Sequence, residues 1–235
     1  MIWDAFVEAL RLIWNLDHEV MEIAWRSLRI AATSSAISFL LIALPLGTLI
    51  HFNRFPGKPL VISTIQTLFA MPAVVVGLLT YDLLSNKGAF GELGWYLTPD
   101  AIVFGQTLLI TPVMLGLVIS ALNGVDKSIP ETATTMGASR LQTYLISIRE
   151  ARFGILTALV MGFGRAISEV GISIMVGGNI RGYTRTLTTT ITLETQMGEL
   201  ELAHALGIIL ILLAFVINLS LLSLQYRESK WLSWI

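Results

Sequence analysis

Five stretches of this chain are each long and apolar enough to cross a bilayer: about Ser27–His51, Leu60–Leu84, Ala101–Leu122, Phe153–Val176 and Ala203–Leu224. A spanning helix needs about 20 largely apolar residues. Within the hydrocarbon only a helix or a closed barrel can satisfy its own backbone hydrogen bonds, so runs of this length specify an all-α membrane protein. Composition agrees. Only 13% of the 235 residues are charged, against about a quarter in soluble domains. The net charge of −1 gives no electrostatic footprint for nucleic acid. There are no cysteines, which excludes disulfides, thiolate metal sites and cysteine nucleophiles.

The first four spans are rich in Ser, Thr, Gly and Pro. Small and hydroxyl residues let helices approach closely and bond across their interface, so a packed bundle is expected rather than a set of lone anchors. Pro45, Pro72 and Pro112 fall inside the first three spans. Each removes a backbone hydrogen bond and predicts a kink.

The N-terminal stretch MIWDAFVEALRLIWNL repeats its apolar residues with a helical period and places Asp4, Glu8, Arg11 and Asn15 on the other face. It is too charged to span and lacks the basic start of a signal peptide. Two readings fit it equally. It lies in the membrane interface with Trp3 and Trp14 at headgroup depth, or it packs on neighbouring helices. The chain thus divides into an outer amphipathic segment, 1–26, and a transmembrane region, 27–235.

Five spans place the termini on opposite sides. With the N-terminus outside, the inner segments hold eight basic residues: Arg54, Lys58, Lys127, Arg140, Arg149, Arg152, Arg227 and Lys230. The outer segments hold five: Arg11, Arg26, Lys87, Arg181 and Arg185. Basic residues collect on the cytoplasmic side, so the N-terminus is expected outside and the C-terminus in the cytoplasm. The loop 123–152 then faces the cytoplasm too.

That loop is too long and too patterned to be a plain connector. Asn123-Gly124 opens it with turn chemistry, and Pro130 suits the first position of a helix. Gly137 then permits a left-handed turn, after which Leu141, Tyr144, Leu145 and Ile148 form one helical stripe leading to the fourth span. A short helix, a glycine turn and a second helix make a compact knob suited to a groove on another protein.

The stretch ETATTMGAS, Glu131–Ser139, resembles the coupling loop of permease subunits in bacterial and archaeal ABC importers. Glu131, Ala133, Gly137 and Ala138 match its pattern, while Thr132 stands where an alanine is usual. The proline that commonly follows later is missing, since Ile148 is followed by Arg149. A second stretch, GRAISEVGISIMVGGNIRGYTRTLTTTITLE from Gly164 to Glu194, is similar to permeases for tetrahedral oxyanions, most of all the tungstate type within the tungstate, molybdate and sulfate group. The resemblance implies a type I importer permease with a coupling helix that docks on a separate ATPase. Glu131, Thr132, Ala133, Met136, Gly137, Ala138 and Leu141 would make that contact. It also implies two ATP-binding subunits, which hold the ATP and magnesium, and an extracytoplasmic oxyanion-binding protein. The expected location is the cytoplasmic (inner) membrane.

No Gly-x-x-x-x-Gly-Lys-Ser/Thr run occurs, so neither an ATPase site nor a cofactor is expected in this chain. Five spans are too few to enclose a path, and a two-fold homodimer is the simplest closed assembly. Within the fourth span Arg165 and Glu169 lie four residues apart. They either pair with each other or face the path of the anion, where one fixed positive charge helps and a tight cage would trap. Gly164 and Ser168 beside them, with Thr188 and Thr189, complete the candidate path or gate. The hydroxyl-rich run Thr184–Thr195 is read as a segment closing the outer mouth and docking the receptor, with direct anion contact through Arg181 and Arg185 the alternative. His18, His51 and His204 have no metal-ligand spacing. An ATP-independent channel or secondary transporter would call for inverted repeats or several buried titratable groups, and a scaffold for neither. No repeat is visible.

Overall fold

A computed structural model describes residues 2–232, and every regular element in that range is helical. The ends of the two sequence-defined segments, Met1 and 233–235, lie outside the described residues. The elements in order are α1 (Ile2–Trp14), α2 (His18–Ala36), α3 (Leu44–Phe52), α4 (Lys58–Thr67), α5 (Ala73–Leu84) and α6 (Pro99–Asn123). They are followed by α7 (Ser128–Thr135), α8 (Arg140–Glu150), α9 (Arg152–Ile167), α10 (Gly171–Gly177), α11 (Leu187–Met197) and α12 (Leu200–Leu232).

Among the described residues, three helices alone are long and apolar enough to span: His18–Phe52, Pro99–Asn123 and the apolar part of α12. The expected second and fourth spans are each a broken pair, α4 with α5 and α9 with α10. Of the three prolines, Pro72 accounts for one of these breaks. Pro72 is extended (ψ 131°) and caps α5, so the run Leu60–Leu84 is split rather than kinked. Pro45 opens α3 directly after a π-helical segment, Ile37–Ala43, that joins α2 to α3 in one 35-residue helix. A π turn absorbs the carbonyl that a proline leaves unpaired. Pro112 is accommodated inside α6 without a break.

The fold comprises two compact units. One is formed by Ser35–Met71 and Leu108–Phe163. Its helices approach through glycine: Cβ atoms added at Gly47, Gly116 and Gly162 would collide with Val118, Phe69 and Met114 respectively. Ser38 and Thr111 add a hydroxyl bond of 2.9 Å between the π segment and α6.

The other unit holds α1, most of α2, α5, and α10 to α12. Here α1 packs on α12, with Ala9, Ala205, Leu206 and Ile209 buried in one cluster with Val20, Ile23, Ala24 and Leu187. Ala5 and Ala9, both almost fully buried, give α1 a small-residue face. Trp3 and Trp14 point outward at 74% and 88% exposure. Ser34 donates to Gln106 Oε1 at 3.0 Å, joining α2 to α6.

Candidate functional site

The knob forms as two capped helices. Asp126 Oδ1 accepts the backbone N–H of Ser128 at 2.8 Å and starts α7 there, two residues before the expected Pro130. That bond holds the Asp126 carboxyl below the usual carboxylate range. At the other end Gly137 has φ +88°. Ala138 N–H bonds the carbonyl of Ala133 and Gly137 N–H that of Thr134, closing the C-terminal carbonyls in a left-handed cap. Ser139 then begins α8 with a capping box. Gln142 N–H donates to Ser139 Oγ at 3.4 Å, and Ser139 N–H donates to Gln142 Oε1 at 2.7 Å. The Ser-x-x-Gln spacing is the sequence signal for this box.

Ala133, Met136, Gly137, Ala138, Gln142, Leu145 and Ile146 line one open cleft of about 490 Å³. Met136 and Leu141 are 84% and 67% exposed, and Glu131 and Thr132 are exposed on α7. Four of the seven sequence-selected residues therefore border the cleft, while Glu131, Thr132 and Leu141 lie on the exposed surface outside its lining. An apolar surface of this kind at a helix–turn–helix tip is suited to partner contact.

Arg165 and Glu169 do not pair. The Glu169 carboxylate, 8% exposed, accepts the backbone N–H of Ile172 at 3.0 Å. Arg165 is half-buried and its Nε has no hydrogen-bond partner. The break between α9 and α10 explains the divergence. Ser168 Oγ bonds back to the carbonyls of Gly164 (2.9 Å) and Arg165 (3.1 Å), competing with the helical ladder. Gln106 Nε2 donates to the carbonyl of Ala166 at 3.1 Å, and Thr188 Oγ1 donates to that of Glu169 at 2.9 Å. These bonds satisfy carbonyls that the interrupted helix leaves free. A Cβ added at Gly164 meets nothing within 4 Å, and Ser168 is exposed. Arg165, Gly164 and Ser168 thus share an open stretch of backbone, and Glu169 turns inward to hold α10.

Thr188 and Thr189 are buried; Thr189 is bonded within its own segment, and Thr188 reaches out of it to the Glu169 carbonyl. Thr186 and Thr189 form a capping box at the start of α11, and Thr186 Oγ1 lies 3.0 Å from Thr188 Oγ1. Leu187 N–H donates to Ser27 Oγ at 2.8 Å, anchoring the segment to α2. Arg181 makes two bonds to Glu19, 2.8 and 2.6 Å, which raise its already high pKa. Arg26 pairs with Glu22 and donates to the carbonyl of Arg185 at 3.0 Å. Arg181 is thereby matched to a carboxylate, and the hydroxyls are used internally.

Among the described residues, an all-helical membrane fold with an exposed helix–turn–helix tip and a polar break in a spanning segment suits a membrane transport subunit. The chain belongs to the family of binding-protein-dependent transport system inner membrane components, whose model matches residues 27–233. It is thus a permease subunit of the ABC importer class. It is 36% identical over 224 residues to the tungstate uptake system permease protein TupB of Peptoclostridium acidaminophilum, covering 95% of this chain and 98% of that one. It is 40% identical over 207 residues to a probable anion ABC transporter permease protein of Haloferax volcanii, covering 86% and 88%. A bacterial ABC transporter that imports the acidic polysaccharide alginate shares the fold, with TM-score 0.72 at 20% identity over 90% of this chain and 80% of that one.

Proposed function

We propose that this permease carries a tetrahedral oxyanion, tungstate first, into the cell in an ATP-driven cycle of alternating access. The similarity to TupB over nearly the whole of both chains supports the substrate. The observation that carries the mechanism is the exposed tip formed by α7, Gly137 and α8. Glu131, Thr132, Ala133, Met136, Gly137, Ala138 and Leu141 dock it on a separate ATPase, which binds ATP and magnesium.

The assembly pairs two copies of this chain with two ATPase subunits and an external oxyanion-binding protein. The N-terminus is outside and the C-terminus cytoplasmic. Closure of the ATPase dimer draws the tips together and opens the outer mouth, and hydrolysis resets the inward-open state. Arg165 supplies a single fixed positive charge to the dianion, with Gly164 and Ser168 beside it. Glu169, Thr188 and Thr189 hold the break that presents it. One unpaired cation attracts the dianion without caging it. Molybdate or sulfate on the same path is the second reading, since all three ions share charge and shape.

The test is reconstitution of the permease, its ATPase and the binding protein in proteoliposomes. Tungstate should accumulate only with ATP inside and binding protein outside, with molybdate and sulfate as competitors. Uptake that follows a proton or sodium gradient without ATP would overturn the mechanism. Preference for molybdate or sulfate would overturn the substrate.

A further inference from the structure

The sequence suggests that motion entering at the tip leaves through the covalent join of α8 to α9. A second route is built into the packing. Helix α8 has two dissimilar sides. Leu141, Leu145 and Ile146 are exposed on the side of the cleft, whereas Thr143 and Ser147 are buried and Tyr144 is half-buried. α7 packs on α8, and α8 packs on α3. The contact with α3 includes an aromatic stack: the rings of Tyr144 and Phe52 lie 4.3 Å apart, centroid to centroid, at an interplanar angle of 19°.

Phe52 is in turn fixed at the end of α3. His51 stands edge-on to it at 4.6 Å and donates from Nδ1 to Asn123 Oδ1 at 2.8 Å, on the last residue of α6. Lys58 Nζ bonds the carbonyls of His51 and Asn53 at 2.7 and 3.2 Å, holding the chain where α3 stops. The ends of α3 and α6 thus meet the middle of α8 in one polar and aromatic clamp. α3 continues through the π segment into the 35-residue helix, and α6 is a full spanning helix.

We infer that Phe52 and Tyr144 are positioning residues that pass the displacement of the tip to α3, and through His51 and Asn123 to α6. This rests on the docking role proposed for α7. Stacked rings resist sliding, and packed side chains transmit displacement because interiors compress little. Neither ring lines the cleft at the tip; the pair sets how much of the tip's movement reaches the spanning helices.

The test uses the full complex in proteoliposomes and measures anions imported per ATP hydrolysed. Phe52→Leu and Tyr144→Leu keep apolar volume and lose the stack, so folding should survive. Each should lower the ratio at least fivefold with the ATPase still co-purifying. The double variant should be no worse than either single one, and Tyr144→Phe should restore the ratio. An unchanged ratio in the leucine variants, additive losses, or loss of the ATPase from the complex would each overturn the inference. Leu141→Asp, on the outward side of α8, separates the two claims. If that variant keeps both the ATPase and the ratio, the docking role itself fails, whatever the aromatic pair does.

Discussion

Glu169 accepts the backbone N–H of Ile172 at 3.0 Å and so leaves Arg165, one turn earlier, without its neighbouring carboxylate. Only the acceptor oxygen matters for that cap. Glu169→Gln should therefore stay close to the parent in thermal unfolding of the detergent-solubilised protein. Glu169→Ala leaves a buried donor unpaired and should cost about 1–3 kcal/mol. Equal melting of the alanine variant and the parent would show that the cap does not stabilise α10.

Arg165 has the opposite profile. Its Nε has no partner to lose, so Arg165→Gln should change stability by no more than about 0.5 kcal/mol. Uptake should nevertheless fall at least tenfold if Arg165 supplies the countercharge proposed for the dianion. Arg165→Lys keeps the charge and should retain part of the transport. A variant that melts early but transports normally would make Arg165 a packing residue.

These two residues also mark where sequence reading reached its limit. Three of the spans were legible as single helices because length and apolarity are properties of a run of residues. The tip was legible because Gly137 and the helical stripe after it are local signals, and the structure adds the φ of +88° that the glycine serves. The break after Ile167 was hidden inside an apolar run. Its freed carbonyls are held by Gln106 and Thr188, which come from elsewhere in the chain, and no window along the sequence contains them. The threonine run shows a related limit. Hydroxyls that look free in sequence are used in a capping box and on the Glu169 carbonyl. The Phe52–Tyr144 stack joins residues far apart in the chain and left no local trace.

Gly162 faces Met114 so closely that an added Cβ would overlap the methionine side chain. Gly162→Ala should cost about 1–3 kcal/mol through overpacking. Met114→Ala alone opens a cavity and should cost about 2–5 kcal/mol. Combined, the new methyl fills part of that cavity, so the double variant should be more stable than the sum of the two losses by at least about 0.5 kcal/mol. Strict additivity in thermal unfolding would mean that the two helices separate to relieve the contact.

At Gly137 the constraint is torsional. No atom lies within 4 Å of an added Cβ, yet φ is +88°. Crowding within this chain therefore explains no loss there, and side chains should rank by their tolerance of left-handed backbone. Asparagine visits that region with little penalty, whereas other residues incur about 1–2 kcal/mol and branching at Cβ adds to it. Anion uptake per ATP should fall in the order Gly137, Gly137→Asn, Gly137→Ala, Gly137→Val, with the permease remaining in the membrane throughout. If the valine variant is the equal of the asparagine one, the left-handed turn is not what shapes the tip, and the contact with the ATPase must be set by α7 and α8 alone.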